Sequence, residues 1–305
     1  MPNGIMFHHF HGEKFPKVQG SISKNDFTKI IIYLKKKNKI VTPEEFLNLY
    51  QKKNLIGNEV CLTFDDGIKS QKDLILPMLE RLKIKAFFFI YTSLIKGKPD
   101  NLEYYRDFRC SYYKNILLFY KDFFQNLKII FPFENKKLEK NYDSKYLINY
   151  KFYTKEDRKF RFCRDKILRK KKYEFVLEKM MKRKGYKKKL RKKLLFMTPK
   201  DLREIDKRGH TIGLHSHSHP TTIHTLSYNS QYKEYSKSKS ILEKFLKKKV
   251  WSMSHPCGNY NKNSIKILKK KGIKIGFRAD LSEKRIKSSL EIAREDHADL
   301  LSRLK

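Results

Sequence analysis

Val60-Cys61-Leu62-Thr63-Phe64-Asp65-Asp66-Gly67 carries a largely apolar run into two adjacent carboxylates and a glycine. Val60 to Phe64 shows no polar alternation, which predicts a strand covered on both faces, as in a parallel sheet flanked by helices. Gly67 permits a sharp turn where the strand stops. Adjacent strand residues point to opposite faces, but a turn starting here lets both carboxylates approach one centre, one to bind a cation and the other to take a proton from water. Taken alone, the pair reads more simply as a turn that caps the next helix.

Working outward, short β-branched and aromatic runs alternate with helical patterns. Upstream, Gly4 to Phe10 predicts a strand. Lys24 to Asn38 predicts a helix with Phe27, Ile30, Ile31 and Leu34 on one face and Ser23 as its cap. Thr42-Pro43-Glu44-Glu45 opens another helix with a capping box. Downstream come a helix from about Gln71 to Leu82 and a third strand, Ala86 to Tyr91. From about 97 to 193 the rhythm breaks into a Tyr-, Phe- and Lys-rich stretch in which only Phe175 to Lys184 reads as firmly helical, so this stretch is expected to be an insertion in a single domain spanning 1–305. The alternation then resumes. A helix opens at Thr198-Pro199-Lys200-Asp201, and strands are expected at His210 to Leu214, Val250 to Ser254, Ile273 to Phe277 and Leu290 to Ala293, with helices at Tyr228 to Leu246 and Ser264 to Lys271 between them. Roughly seven strands point to an α/β fold with barrel-like closure, in which reactive groups sit at the carboxyl ends of the strands.

The second chemical signal follows the strand Thr211-Ile212-Gly213-Leu214 and reads His215-Ser216-His217-Ser218-His219-Pro220. Three histidines in five residues are poorly explained as core residues, because an imidazole is costly to bury without partners and well suited to ligate a metal. If the chain leaves the strand in a helical turn, His215 and His219 share a face at i, i+4 and His217 points elsewhere. Two imidazoles and a carboxylate leave an open coordination position, the arrangement of catalytic zinc and of some non-haem iron sites.

Together the two motifs resemble the polysaccharide deacetylase family, carbohydrate esterase family 4. Its first motif stands unaltered as Thr63-Phe64-Asp65-Asp66-Gly67, and its second matches His215 to His219. The resemblance covers most of the chain apart from the large insertion after the third strand, and it implies a distorted (β/α)7 barrel. It also implies Asp65 as general base, Asp66, His215 and His219 as ligands of a divalent metal, zinc first, and a late histidine as proton donor, for which His297 is the candidate. The family's third motif departs here: arginine, spacer, proline and aromatic become Ser254-His255-Pro256-Cys257. Arg294 or Arg278 is expected to replace the arginine that orients the base, and the Cys257 amide to help hold an oxyanion. His8 and His255 are further candidates for binding or orienting substrate, Tyr260 for stacking on a sugar ring, and Trp251 for the core.

The bulk composition bounds the rest. Lys and Arg number 71 against 32 Asp and Glu, a formal net charge of +39. Lysine runs scattered along the chain read as solvated helix faces in preference to a specific nucleic-acid site, with attraction to an anionic carrier or a peripheral contact with anionic membrane as a secondary effect. Cys61, Cys110, Cys163 and Cys257 show neither CxxC spacing nor a disulfide framework. With no signal-like N-terminus and no apolar run of about 20 residues, the expected location is cytoplasmic. The expected activity is removal of an acetyl group, N-linked before O-linked, from a nucleotide- or lipid-linked sugar. A cyclic amidase of the same fold and a non-catalytic carbohydrate binder are the alternatives.

Overall fold

Eight strands, every pairing parallel, wrap around an aromatic interior: β1 Gly4–Phe7, β2 Lys39–Ile40, β3 Glu59–Asp65, β4 Phe87–Ile90, β5 Thr211–Leu214, β6 Ser252–Ser254, β7 Ile275–Phe277 and β8 Arg294–Asp296. The computed structural model describes residues 4–53, 57–148, 153–279, 281 and 288–304. The strand order is β7-β6-β5-β4-β3-β1-β8, with the short β2 added beside β3. A bridge between Phe277 and Ile292, two residues before β8, joins the two ends of that order, so the sheet is nearly closed into a barrel. Helices surround it, which is the distorted (β/α)7 barrel expected from the sequence.

Strand alternation divides the side chains between two layers. Cys61 of β3, Phe87 and Phe89 of β4 and Ile275 and Phe277 of β7 cluster with Phe46 and Leu47 of the helix Pro43–Gln51. Phe64, one residue out of phase, instead stacks on Phe7 and Phe88 and tilts against Phe27 of the helix Lys24–Lys37. Thr63 and Asp65 share the inner phase with Cys61, so one register decision carries the carboxylate into the barrel. Gly213 makes the close approach possible there, since a Cβ on it would stand 2.6 Å from the Phe89 ring and 2.5 Å from Ser252 Oγ.

The expected helix faces and caps are present. Ser23 and Thr42 both form capping boxes, and Phe27, Ile30, Ile31 and Leu34 are buried. Three boundaries need correction. The first strand ends at Phe7, so His8 to Phe10 are loop rather than strand. The helix expected from Gln71 starts as a π-turn, Gln71–Ile75, before Leu76–Arg81. The last strand is not Leu290 to Ala293 but the charged Arg294–Asp296, because register with β1 places Arg294 opposite Gly4 and gives its side chain partners inside the barrel.

The chain divides into two compact units, Met1–Asp100 with Lys193–Lys305, and Asn101–Lys192. The second unit is helical throughout its described elements, well beyond the single helix expected. Helices run over Asn101–Ser111, Ile116–Ile130, Pro132–Asn141, Lys155–Phe162 and Arg169–Arg183, around Phe108, Phe119, Phe123, Phe160 and Tyr173. Its tyrosines obscured the pattern. Tyr105 and Tyr120 are buried on helices, their hydroxyls donating to Glu178 at 2.9 Å and to Asp157, and Tyr186 is buried in the turn after Arg183 with its hydroxyl donating to Asp107 at 2.7 Å, so residues that score as polar occupy buried positions. Among the described residues no helix is long and apolar enough to cross a membrane.

Candidate active site

Four strand ends deliver the chemistry. β3 ends in Asp65 and turns at Asp66, β5 runs into His215, β6 ends in Ser254, and β1 runs into His8. The turns that follow are sharp. Asp66, Ser216, His219 and Cys257 all take left-handed φ values, 75°, 62°, 55° and 52°. Such conformations are costly away from glycine and persist where surrounding structure fixes them.

Asp66, His215 and His219 converge. Asp66 Oδ1 lies 3.3 Å from Nε2 of each histidine, and the three residues offer ligand atoms all within 4.8 Å of one another. His215 Nδ1 faces the Ser254 carbonyl at 2.9 Å, so it donates there and turns the Nε2 lone pair inward. His219 Nδ1 lies 3.9 Å from Asp100. Burial opposes the charge on Asp66, yet His219 and His215 hold its carboxyl well below the ordinary range. Burial likewise pushes His219 down. His215 also feels burial, but Asp65 and Asp66 raise it. Asp66 Oδ1 is buried with no hydrogen-bond partner of proper geometry among the described residues. A buried carboxylate oxygen and two inward-facing imidazole nitrogens, backed by acceptors, form a donor set that fits a divalent cation. His217 turns away, its Nδ1 2.9 Å from Thr92 Oγ1.

Asp65 lies next to this cluster and is held by Arg294. Nη1 and Nη2 each donate to one carboxylate oxygen at 2.8 Å. Nη1 also reaches Thr63 Oγ1 at 3.0 Å, Nη2 Ser254 Oγ at 2.7 Å, and Nε the Arg278 carbonyl at 2.9 Å. Ser254 Oγ donates to Asp65 Oδ2 at 3.1 Å. Arg294 is fully buried, and two ions taken from water cost several kcal/mol each unless paired and hydrogen-bonded, as here. Burial raises the Asp65 pKa, but Arg294 and His215 outweigh it and the carboxyl stays below its usual range. Of the two arginines expected to replace the one missing from the third motif, Arg294 is the one whose guanidinium contacts Asp65. Arg278 takes part only through its carbonyl, its side chain being directed to Tyr260.

His297 needs reassignment. Both ring nitrogens are committed to backbone carbonyls, Nδ1 to Met6 at 3.0 Å and Nε2 to Gly20 at 2.8 Å, and the ring stacks on Phe7. A carbonyl only accepts, so neither nitrogen is available to a substrate. His8 is placed where a donor is needed: its Nε2 lies 3.8 Å from Asp65 Oδ2, with the side chain 27% exposed. Gln71 fixes both neighbours from beneath, donating to the Asp65 and His8 carbonyls at 2.7 and 2.9 Å.

The remaining candidates are peripheral. His255 is buried, donates from Nε2 to the Leu290 carbonyl at 2.8 Å, and is pushed by burial to a pKa of about 4. Tyr260 stacks on it at 4.3 Å, so one ring face is not free for a sugar. Cys257 is exposed on the turn Pro256–Gly258. Trp251 packs edge-on against Phe87, as a core residue does. Thr63, Gln71, Ser254 and Gly4 were not singled out as site residues from sequence. For Ser254 the altered third motif was a signal. Gly4 gives none, yet a Cβ there would stand 2.9 Å from Arg294 Cγ.

The model of the family described as polysaccharide deacetylase matches residues 52–110 and 166–276, more than half of the chain. Among solved structures the chain is similar to the Streptococcus pyogenes deacetylase PplD in complex with acetate, at 15% identity and TM-score 0.58 over 100% of both chains. It is also similar to IcaB from Ammonifex degensii, at 14% identity and TM-score 0.59, covering 99% of this chain and 97% of that one. A de-N-acetylase from Aggregatibacter actinomycetemcomitans aligns at 15% identity and TM-score 0.55 over 96% and 93%. At these identities the likeness speaks for the fold. No curated protein sequence matches the chain.

Proposed function

The chain belongs to the polysaccharide deacetylase family, and from that premise we propose that it is a metal-dependent hydrolase removing an acetyl group, N-linked before O-linked, from a carbohydrate. The observation that carries the reading is the juxtaposition of two carboxylates with different surroundings, Asp66 among imidazoles and Asp65 clamped by Arg294.

Asp66, His215 and His219 would hold the metal, and zinc is the first choice for two imidazoles and one carboxylate. When bound, the metal polarises the acetyl carbonyl and lowers the pKa of water beside it. Asp65 stays ionised because Arg294 offsets its burial, and it accepts the proton from the attacking water. Arg294 fixes both carboxylate oxygens and so the direction of that proton transfer. His8, half-open to solvent on the same side of Asp65, delivers a proton to the departing nitrogen. Arg294 also supplies the orienting contact whose apparent absence favoured a non-catalytic reading. The single domain 1–305 with an insertion remains the organisation we propose, the barrel unit carrying all the groups named. The charge of +39 supports a substrate on an anionic carrier such as a nucleotide-linked sugar.

Purified protein, assayed for acetate release from N-acetylated nucleotide sugars and glycans alongside metal analysis, tests this. Metal in the native chain, its loss in Asp66→Ala, and acetate release only with metal present are expected. A chain that binds no metal and releases no acetate from any N-acetyl sugar overturns the proposal.

A further inference from the structure

Of the nine large hydrophobic side chains that stand exposed among the described residues, seven belong to the helical unit 101–192. The same unit has 29 Lys and Arg against 11 Asp and Glu. Four of the seven, Leu118, Ile129, Phe133 and Phe175, stand among cations on adjoining helices. Along the helix Ile116–Ile130, Leu118, Lys121, Gln125 and Ile129 recur at three- and four-residue spacing, and all four are exposed. The helix Arg169–Arg183 packs antiparallel beside it, as Arg183 pairing with Asp122 and Phe175 lying 5.8 Å from Phe131 require. Its outward stripe is Phe175, Lys179 and Lys182.

Ile129 and Phe133 are 79% and 74% exposed at the corner where one helix ends and Pro132–Asn141 begins. Lys172 and Lys179 sit over the Phe131 and Phe175 rings, each at 5.5 Å. Beside the stripe, a cavity of about 510 Å³ is lined by Lys114, Lys121 and Lys184, by Arg183 paired with Asp122, and by Tyr112 and Tyr113. Aromatic and aliphatic tips protruding through a collar of long cations are what an interfacial surface needs, the tips entering the acyl boundary and the cations meeting anionic headgroups. We propose that this face of the helical unit docks on a bilayer bearing anionic lipid, with the basic cavity taking a phosphate headgroup.

Charge decides among occupants. A second copy would bring the same excess of cations onto this face, which repels it. Nucleic acid would match the cations but leaves protruding Ile129 and Phe133 without a role. A lipid surface uses both. The inference concerns binding alone and does not rest on the deacetylase reading.

Flotation of the full chain with phosphatidylcholine vesicles, with and without phosphatidylglycerol, tests it. Binding is expected to the mixed vesicles and to be at least about tenfold weaker to phosphatidylcholine alone. Ile129→Ser combined with Phe133→Ser and Phe175→Ser should weaken mixed-vesicle binding about tenfold, with the thermal midpoint unchanged since all three side chains are exposed. Lys121→Glu with Lys179→Glu should weaken it comparably. Three results would overturn the proposal: no vesicle binding, mixed-vesicle binding that survives the triple serine variant, or a dimer of the native chain that this variant dissolves. So would tighter retention on duplex DNA than on the mixed vesicles.

Discussion

Each of the two units buries an aspartate gripped by an arginine, and the two pairs differ in what is left over. In the helical unit, Asp107 accepts from Arg191 Nη2 and Ser111 through Oδ1 at 2.6 and 3.0 Å, and from Arg191 Nε and Tyr186 through Oδ2 at 2.8 and 2.7 Å. Every partner comes from that unit, and the surrounding side chains are aromatic. In the barrel, Asp65 has an equally complete grip from Arg294 and Ser254, but it stands beside a histidine open to solvent and a carboxylate oxygen that lacks a hydrogen bond. The same ion pair is an internal strut in one place and, in the proposed function, holds the base in the other. What distinguishes them is neighbouring donor atoms with no partner, since buried polar groups are otherwise satisfied.

Asparagine at each aspartate separates the two roles most sharply. Asp65→Asn should lower turnover about a thousandfold, the scale of a lost general base. Asp107→Asn should leave kcat within about twofold and instead lower stability by ~3 kcal/mol, as breaking a buried pair does. Paired activity and urea-unfolding measurements read both, and equal loss of turnover would erase the contrast.

Acid should also strike the two units differently. All ten histidines lie outside 101–192, and burial lowers His210 and His255 to pKa values of about 4. Each is neutral when folded but protonates readily when unfolded, so its contribution is present above the unfolded value of ~6.5 and is lost as pH falls through about 4, worth ~3 kcal/mol each by linkage. Hydrogen exchange at pH 7 and pH 4.5 should show barrel strands losing protection before the helices of 101–192. Loss in the reverse order contradicts the sign.

Between the two histidines near β1 the expected effects are smaller. His8→Gln should reduce turnover about a hundredfold and leave the unfolding midpoint in place. His297→Gln should lower the midpoint and spare kcat, because its ring only bridges the Met6 and Gly20 carbonyls. Last, Gly4→Ala pushes a methyl toward Arg294 Cγ, which should displace the guanidinium and reduce kcat about tenfold with KM little changed. Wild-type kinetics in Gly4→Ala would mean that Asp65 does not depend on the position of Arg294.

The sequence by itself determined whatever local periodicity and composition can express. The apolar run into Asp65-Asp66-Gly67 and the capping boxes at Ser23 and Thr42 are short-range patterns with the expected local geometry, whereas His215 and His219 converge without the helical turn expected of them, through left-handed φ at Ser216 and His219. The helices of 101–192 were less legible because tyrosines bonded to carboxylates, Tyr105 and Tyr120, take the place of aliphatic core residues. Only the tertiary structure shows that the Arg294 guanidinium grips Asp65 while Arg278 lends its carbonyl, and that His8 lies beside Asp65 while His297 faces the Met6 and Gly20 carbonyls. Arg294 and Asp65 are 229 positions apart, and their meeting depends on β8 pairing with β1 in the register that sets Gly4 opposite Arg294. A one-residue slip in that register would turn the guanidinium out of the barrel, and no local pattern in the sequence encodes the choice.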